Sequence, residues 1–139
     1  MTTSVEPITS DQISELISSI DPDKVLEIEA MQRYAAISVK LRAGSINGHL
    51  ICLWGLIPPT LCSDRAYLWL YTTEAAQEHE FILVRRSQIE VQEMLEEYPL
   101  IVGHCEISET RSIRWLRWLG AKFGDHEGTL VPFMIERKG

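Results

Sequence analysis

A chain of 139 residues, 45% hydrophobic and 24% charged, has the length of one domain and the composition of a folded globular protein, which excludes intrinsic disorder. Its formal net charge of −7 excludes a general affinity for nucleic-acid backbones. Cys52, Cys62 and Cys105 are odd in number and lack CxxC spacing, so they read as reduced, mostly buried thiols and not as a disulfide framework.

The first stretch, MTTSVEPITSDQ, has neither a basic region nor an apolar run, so no signal peptide is expected and the protein is not expected to be secreted by one. Val5 to Ile8 read as a short strand. Thr9-Ser10-Asp11 then offers helix N-caps, and Ile13, Leu16, Ile17 and Ile20 recur at helical spacing. Asp21-Pro22-Asp23 ends that helix and opens a second, whose inner stripe is Val25, Leu26, Ile28 and Met31. Ile37, Val39 and Leu41 alternate with Ser38, Lys40 and Arg42, the pattern of a half-buried strand. AGSING at 43–48 supplies turn residues, and HLICLWGLI at 49–57 returns as a hairpin strand.

PPTLCSDR at 58–65 reads as a loop and AYLWLYTT at 66–73 as another strand. The longest apolar run, LICLWGLIPPTLC at 50–62, is broken by Pro58-Pro59 and is too short to span a bilayer. From about 74 to 98 the pattern is helical, with Phe81, Val84, Ile89 (with Val91), Met94 and Leu95 on one broad face and Tyr98-Pro99 as its end. LIVGHCEI at 100–107 is a near-continuous apolar strand of the buried type. SETRSIRWLRWL is a helix closed by Gly120, and TLVPFMIER at 129–137 is the final strand. The order β-α-α-β-β-β-α-β-α-β predicts an α/β (α+β) fold over residues 1–139: a mixed, mostly antiparallel sheet flanked by helices.

RSIRWLRWLGAKFG at 111–124 concentrates arginine and tryptophan in an otherwise acidic chain. At 100° per residue, Ile113, Leu116, Leu119 and Trp115 form one apolar arc, Arg114 and Arg117 fall opposite, and Trp118 lies at the edge beside Arg111. The segment therefore reads as a core-packing helix with a solvated basic face. No other segment extends the basic patch, so no specific nucleic-acid partner is expected.

IRWLRWLGAKFG at 113–124, set between two strands, resembles the closing helix-turn-strand of the GNAT (N-acetyltransferase) superfamily, and the element order is similar from about residue 5 to 137. WGLIPP (54–59), YLWLYTTE (67–74), HEFILVRRSQIEVQEMLEEYPLI (79–101), RSIRWLRWLG and the VPF strand (131–133) together resemble acetyltransferase-like internal virion or virion-assembly proteins of short-tailed bacteriophages.

The GNAT resemblance implies an acetyl-CoA pyrophosphate held on backbone N–H groups at the start of the helix after the fourth strand, with glycines allowing close approach. The matching stretch, TTEAAQEHEF at 72–81, contains no glycine and carries Glu74, Glu78 and Glu80. Thr72, Thr73, Glu74, Ala75 and Ala76 thus read as a degraded cofactor loop, and no cofactor is expected. Leu116 stands where the family keeps its general-acid tyrosine, and Glu109 stands near the usual asparagine. The strand at 66–73 has no carboxylate to serve as a base. Tyr67 and Tyr71 share one strand face and read as core or hairpin packing residues, with hydrogen bonding to a substrate as the alternative, while His104 and Cys105 are adjacent and point to opposite faces, so they cannot chelate one ion together. No catalytic or metal-binding residue is assigned.

These departures predict a non-catalytic, virion-associated or assembly protein in a multi-subunit particle with other phage structural proteins, located in the virion or the infected-host cytoplasm. Its docking candidates are Pro58, Pro59 and Leu61 in one loop and Arg111, Arg114 and Arg117 on one helix face. The alternatives are an N-acetyltransferase using acetyl-CoA through an atypical loop, and a small-molecule or CoA-binding module without turnover.

Overall fold

The computed structural model describes residues 3–9, 12–13, 25–59, 64–72 and 78–137, the side chains of 3, 25–28, 80 and 81 aside. In chain order the elements are strand β1 (Thr3–Pro7), helix α1 (Val25–Ala36), strands β2 (Lys40–Ile46), β3 (His49–Ile57) and β4 (Ala66–Thr72), helix α2 (Glu80–Glu97), strand β5 (Leu100–Glu106), helix α3 (Thr110–Trp118), and strands β6 (Lys122–Phe123) and β7 (Leu130–Glu136). The strands form a mixed, mostly antiparallel sheet in the order β1-β2-β3-β4-β5-β7-β6. The fold is therefore the expected one: a mixed sheet flanked by helices. The helix expected over 9–20 lies outside the described residues apart from Gln12 and Ile13, which are helical.

The chain divides into two compact units, and β4 contributes to both. The first unit holds β1, α1, β2, β3 and β4 from Trp69 onward. Asn47 and Gly48 close its hairpin with φ of 53° and 80°, the pair of positive values that a two-residue I′ turn requires. The turn is thus confined to two residues. Ala43 to Ile46, expected as turn, continue β2, with a bulge between Gly44 and Ser45. Ile51, Leu53 and Leu56 of β3 form the core of this unit with Met31 and Ala35 of α1.

Trp69 is fixed from three sides in the same unit. It lies flat over Gly55, where any Cβ would collide with the indole. Its Nε1 donates to Ser38 Oγ at 2.9 Å, and the Tyr34 ring stacks on it at 6.4 Å between centroids. The expected inward alternation of Ile37, Val39 and Leu41 fails here. Helix α1 runs on to Ala36, so residues 37–39 form the way out of the helix, and Ile37 and Val39 are 58% and 54% exposed.

The second unit holds Ala66–Leu68 of β4 together with α2, β5, α3, β6 and β7. Strands β4 and β5 are parallel, as the connection through α2 requires, and β5 and β7 pair antiparallel along their full length. Helix α2 has no basic residue in its last turn. Arg137 supplies the missing donors, giving hydrogen bonds from its guanidinium to the Leu95 and Glu96 carbonyls. Helix α3 ends as its sequence predicts. Gly120 takes φ of 98°, Ala121 N donates to Leu116 O and Gly120 N donates to Arg117 O, which is a Schellman motif. The two-residue strand β6 was not expected; it pairs Lys122 and Phe123 with Met134 and Phe133. No described helix is long and apolar enough to cross a membrane.

Candidate functional site

The parallel ladder of the second unit has two residue pairs, Ala66↔Ile101 and Tyr67↔Val102. Immediately beyond it stands Gly103, and this position is closely packed. A Cβ there would lie 2.7 Å from Leu68 O and 2.5 Å from Phe133 Cζ. The next residue, His104, is the first polar side chain of β5 past the ladder. In open α/β sheets ligands take the carboxyl ends of parallel strands, and the β4–β5 ladder is the parallel pair here.

The fold brings two ionisable side chains together at this point. Tyr67 Oη and His104 Nδ1 share a hydrogen bond at 3.2 Å, and their rings lie 5.8 Å apart at 37°. Tyr67 is half-buried and His104 exposed. The expectation of packing for Tyr67, with hydrogen bonding to a substrate as its alternative, did not include this contact with His104. Strand alternation places Glu106 on the His104 face and Cys105 on the other. Burial pushes the half-buried Cys105 thiol above its ordinary range, and the neighbouring Glu106 and Glu109 carboxylates add to the shift. The thiolate is disfavoured, so Cys105 is a poor nucleophile.

Helix α3 packs against α2 through Trp115, whose Nε1 donates to Ser87 Oγ at 2.7 Å. That hydroxyl in turn donates to Val84 O. Leu116 is buried, Trp115, Ile113 and Leu119 are half-buried, and Trp118 is 52% exposed. Arg111, Arg114 and Arg117 all face solvent, and Arg117 lies over the Phe123 ring at 5.5 Å. The helix is the amphipathic, core-packing element that its sequence predicts. Leu116, at the position of the general-acid tyrosine, is a core residue. Glu109 is exposed at the head of α3 and makes no side-chain cap.

Of the presumed cofactor loop, Thr72 is the exposed end of β4, while Thr73, Glu74, Ala75 and Ala76 lie outside the described residues. At the start of α2, an 18-residue helix, His79 makes no side-chain cap, and Glu78 and Glu80 flank it in sequence. Arg85 and Arg86 follow within its first turns, Arg86 paired with Glu90 at 3.1 Å. Pro58 and Pro59 are half-buried, and Leu61 lies outside the described residues. Among the described residues no group of three or more His, Cys, Asp or Glu side chains is placed to hold a metal ion.

No protein-family model and no curated protein matches this sequence. Solved structures match its fold. An IAA acetyltransferase from Bacillus cereus superposes with a TM-score of 0.70 at 11% identity, over 98% of this chain and 100% of that one. The GNAT domain of S. lividans PAT gives 0.70 at 13% identity, over 99% and 92%. An aminoglycoside acetyltransferase solved with coenzyme A gives 0.67 at 13% identity, over 98% and 95%. The chain therefore has the GNAT fold. These neighbours overturn the expectation of a non-catalytic virion-associated or assembly protein: they are acetyltransferases, and nothing among them supports a phage relation. The acetyltransferase alternative fits them better.

Proposed function

We propose that this chain is an N-acetyltransferase that takes its acetyl group from acetyl-CoA and passes it to a cationic amine. The observation that carries this reading is the superposition of the chain, end to end, on acetyltransferase domains of its own length. The residues present fit such a donor in part. The uncapped start of α2 offers its backbone donors and positive dipole to a diphosphate, with Arg85 and Arg86 following. The glycines that would ease backbone approach are replaced by Ala75 and Ala76, the next smallest side chains. Glu74, Glu78 and Glu80 oppose an anion, so binding weakens in proportion to their number.

The acceptor class follows from charge. Glu106 and Glu109 are exposed, follow His104 in the chain, and add to the upward shift that burial imposes on the Cys105 thiol. In a chain of net charge −7 such charges draw cations and repel carboxylate substrates. Titration calorimetry with acetyl-CoA tests the donor half of the reading. Saturable binding that CoA competes away is expected, tightened by Glu78→Gln. No heat at millimolar acetyl-CoA would remove the donor and the reading with it.

A further inference from the structure

We infer that His104 is the base that deprotonates the acceptor amine and that Tyr67 is the positioning residue that sets its tautomer. This rests on the acetyltransferase reading and goes beyond it, because the tyrosine and carboxylate positions implied by the GNAT resemblance hold Leu116, a buried core residue, and no acid on β4. The chain needs another group to accept a proton. His104 has the three properties that such a group requires. It stands just past the last parallel pair, Tyr67↔Val102. Its ring is exposed, so an amine can reach it. One of its two nitrogens is already engaged, at 3.2 Å from Tyr67 Oη.

That engagement decides what the other nitrogen does. Which ring nitrogen carries the proton is set by the hydrogen bond that the first one makes. Here the proton is assigned to Nδ1, donating to Tyr67 Oη at 3.2 Å, which leaves Nε2 of the exposed ring with its lone pair. Around His104 the facing titratable groups are Tyr67 from β4 and Glu106 two places on along the same face of β5. Its partner across in β7 is Pro132, with Leu130 and Met134 on either side, none of them charged.

In the reaction Nε2 takes one proton from the ammonium. The freed amine lone pair attacks the thioester carbonyl, forming the N–C bond. The C–S bond then breaks, and the second N–H proton goes to the departing CoA thiolate. His104 returns its proton to solvent. Ammonium and thioester thus give amide, thiol and one released proton.

Two measurements test this. In the first, nitrogen NMR of the free protein, with the His104 signal assigned through His104→Gln, is expected to show Nδ1 protonated and Nε2 bare in the neutral ring, a state lost in Tyr67→Phe. A ring protonated on Nε2 would overturn the assignment. In the second, amine acetylation is followed in variants whose circular dichroism matches the wild type. His104→Gln is expected to lower kcat about 100-fold or more with the KM for acetyl-CoA unchanged, and imidazole in the buffer is expected to restore turnover to His104→Ala. Tyr67→Phe is expected to lower kcat less, again without moving that KM. If the wild type acetylates and His104→Gln stays within a few-fold of it, this inference fails while the acetyltransferase reading stands. If the wild type transfers no acetyl group to any amine, both fail.

Discussion

Replacing Gly103 by alanine adds one methyl group at the most crowded described glycine of the second unit. The new Cβ would sit 2.7 Å from Leu68 O and 2.5 Å and 2.7 Å from Phe133 Cζ and Cε1, well inside van der Waals contact. The Leu68 oxygen is backbone, so it yields only if β4 moves. Phe133 is buried and tilted against Phe123 at 6.3 Å, so its ring has little room to turn. Overpacking of this kind costs about 1–3 kcal/mol. The stiffer unfolded chain of an alanine variant offsets roughly 0.4–1 kcal/mol of that. The net expectation is a loss of about 1–2 kcal/mol.

Urea unfolding followed by tryptophan fluorescence measures it. With a slope of about 2 kcal/mol/M, the middle of the usual range, the midpoint is expected to fall by roughly half to one molar at unchanged slope. Phe133→Leu in the Gly103→Ala background removes the ring half of the clash, so the double variant is expected to lose less than the two single losses added together. A Gly103→Ala midpoint at or above that of the wild type would refute the close approach of β4, β5 and Phe133.

Three further outcomes follow from the same contacts. Leu116→Ala is expected to destabilise by about 2–5 kcal/mol as a core truncation, whereas the half-exposed Trp118→Ser is expected to stay within about 1 kcal/mol of the wild type; equal losses by thermal denaturation would contradict the orientation of α3. Ser87→Ala strips the half-buried acceptor from Trp115 Nε1 and is expected to cost about 0.5–1.5 kcal/mol, with Trp115→Phe restoring part of it in a double-mutant cycle. Cys105 is expected to alkylate slowly at neutral pH, because its raised thiol range keeps it protonated, and to react faster as pH rises. Glu106→Gln and Glu109→Gln lower that range and are expected to speed alkylation at fixed pH, and rates unchanged in both would contradict the electrostatic cause.

What the sequence disclosed was the local chemistry. HLICLWGLI stands as β3 at the predicted residues because Asn47-Gly48 and Pro58-Pro59 punctuate it on both sides. Helix α3 and its end at Gly120 follow from a strong 3.6-residue period and a residue that tolerates positive φ. Where the signals overlapped, the reading erred. Ala43-Gly44-Ser45 carries turn composition yet lies inside β2, since cross-strand pairing outweighs propensity there. Strand β6, with two residues, is too short to show any period.

The candidate site was less legible, and the reason is geometric. Tyr67 and His104 are 37 residues apart, and their meeting depends on the register of a parallel ladder of two pairs, which no hairpin turn fixes. The same holds for Arg137 on the end of α2, a contact spanning 41 and 42 residues. The resemblance of the 113–124 run pointed to the fold, and the missing family residues at Leu116 and in the 72–81 stretch turned the functional expectation away from catalysis. An absent motif excludes one way of moving a proton. It leaves others open, and a histidine on the adjacent strand supplies one.

Acetyl transfer itself is the decisive measurement. The purified chain is incubated with acetyl-CoA and a set of primary amines spanning polyamines, lysine-bearing peptides and neutral or acidic amines, with CoA thiol release and the mass of the acceptor both recorded. The acetyltransferase account predicts thiol release that depends on amine and protein together, an acceptor heavier by one acetyl group, and a preference for the cationic amines. Thiol release no faster than in the protein-free control, with every acceptor mass unchanged, would contradict it.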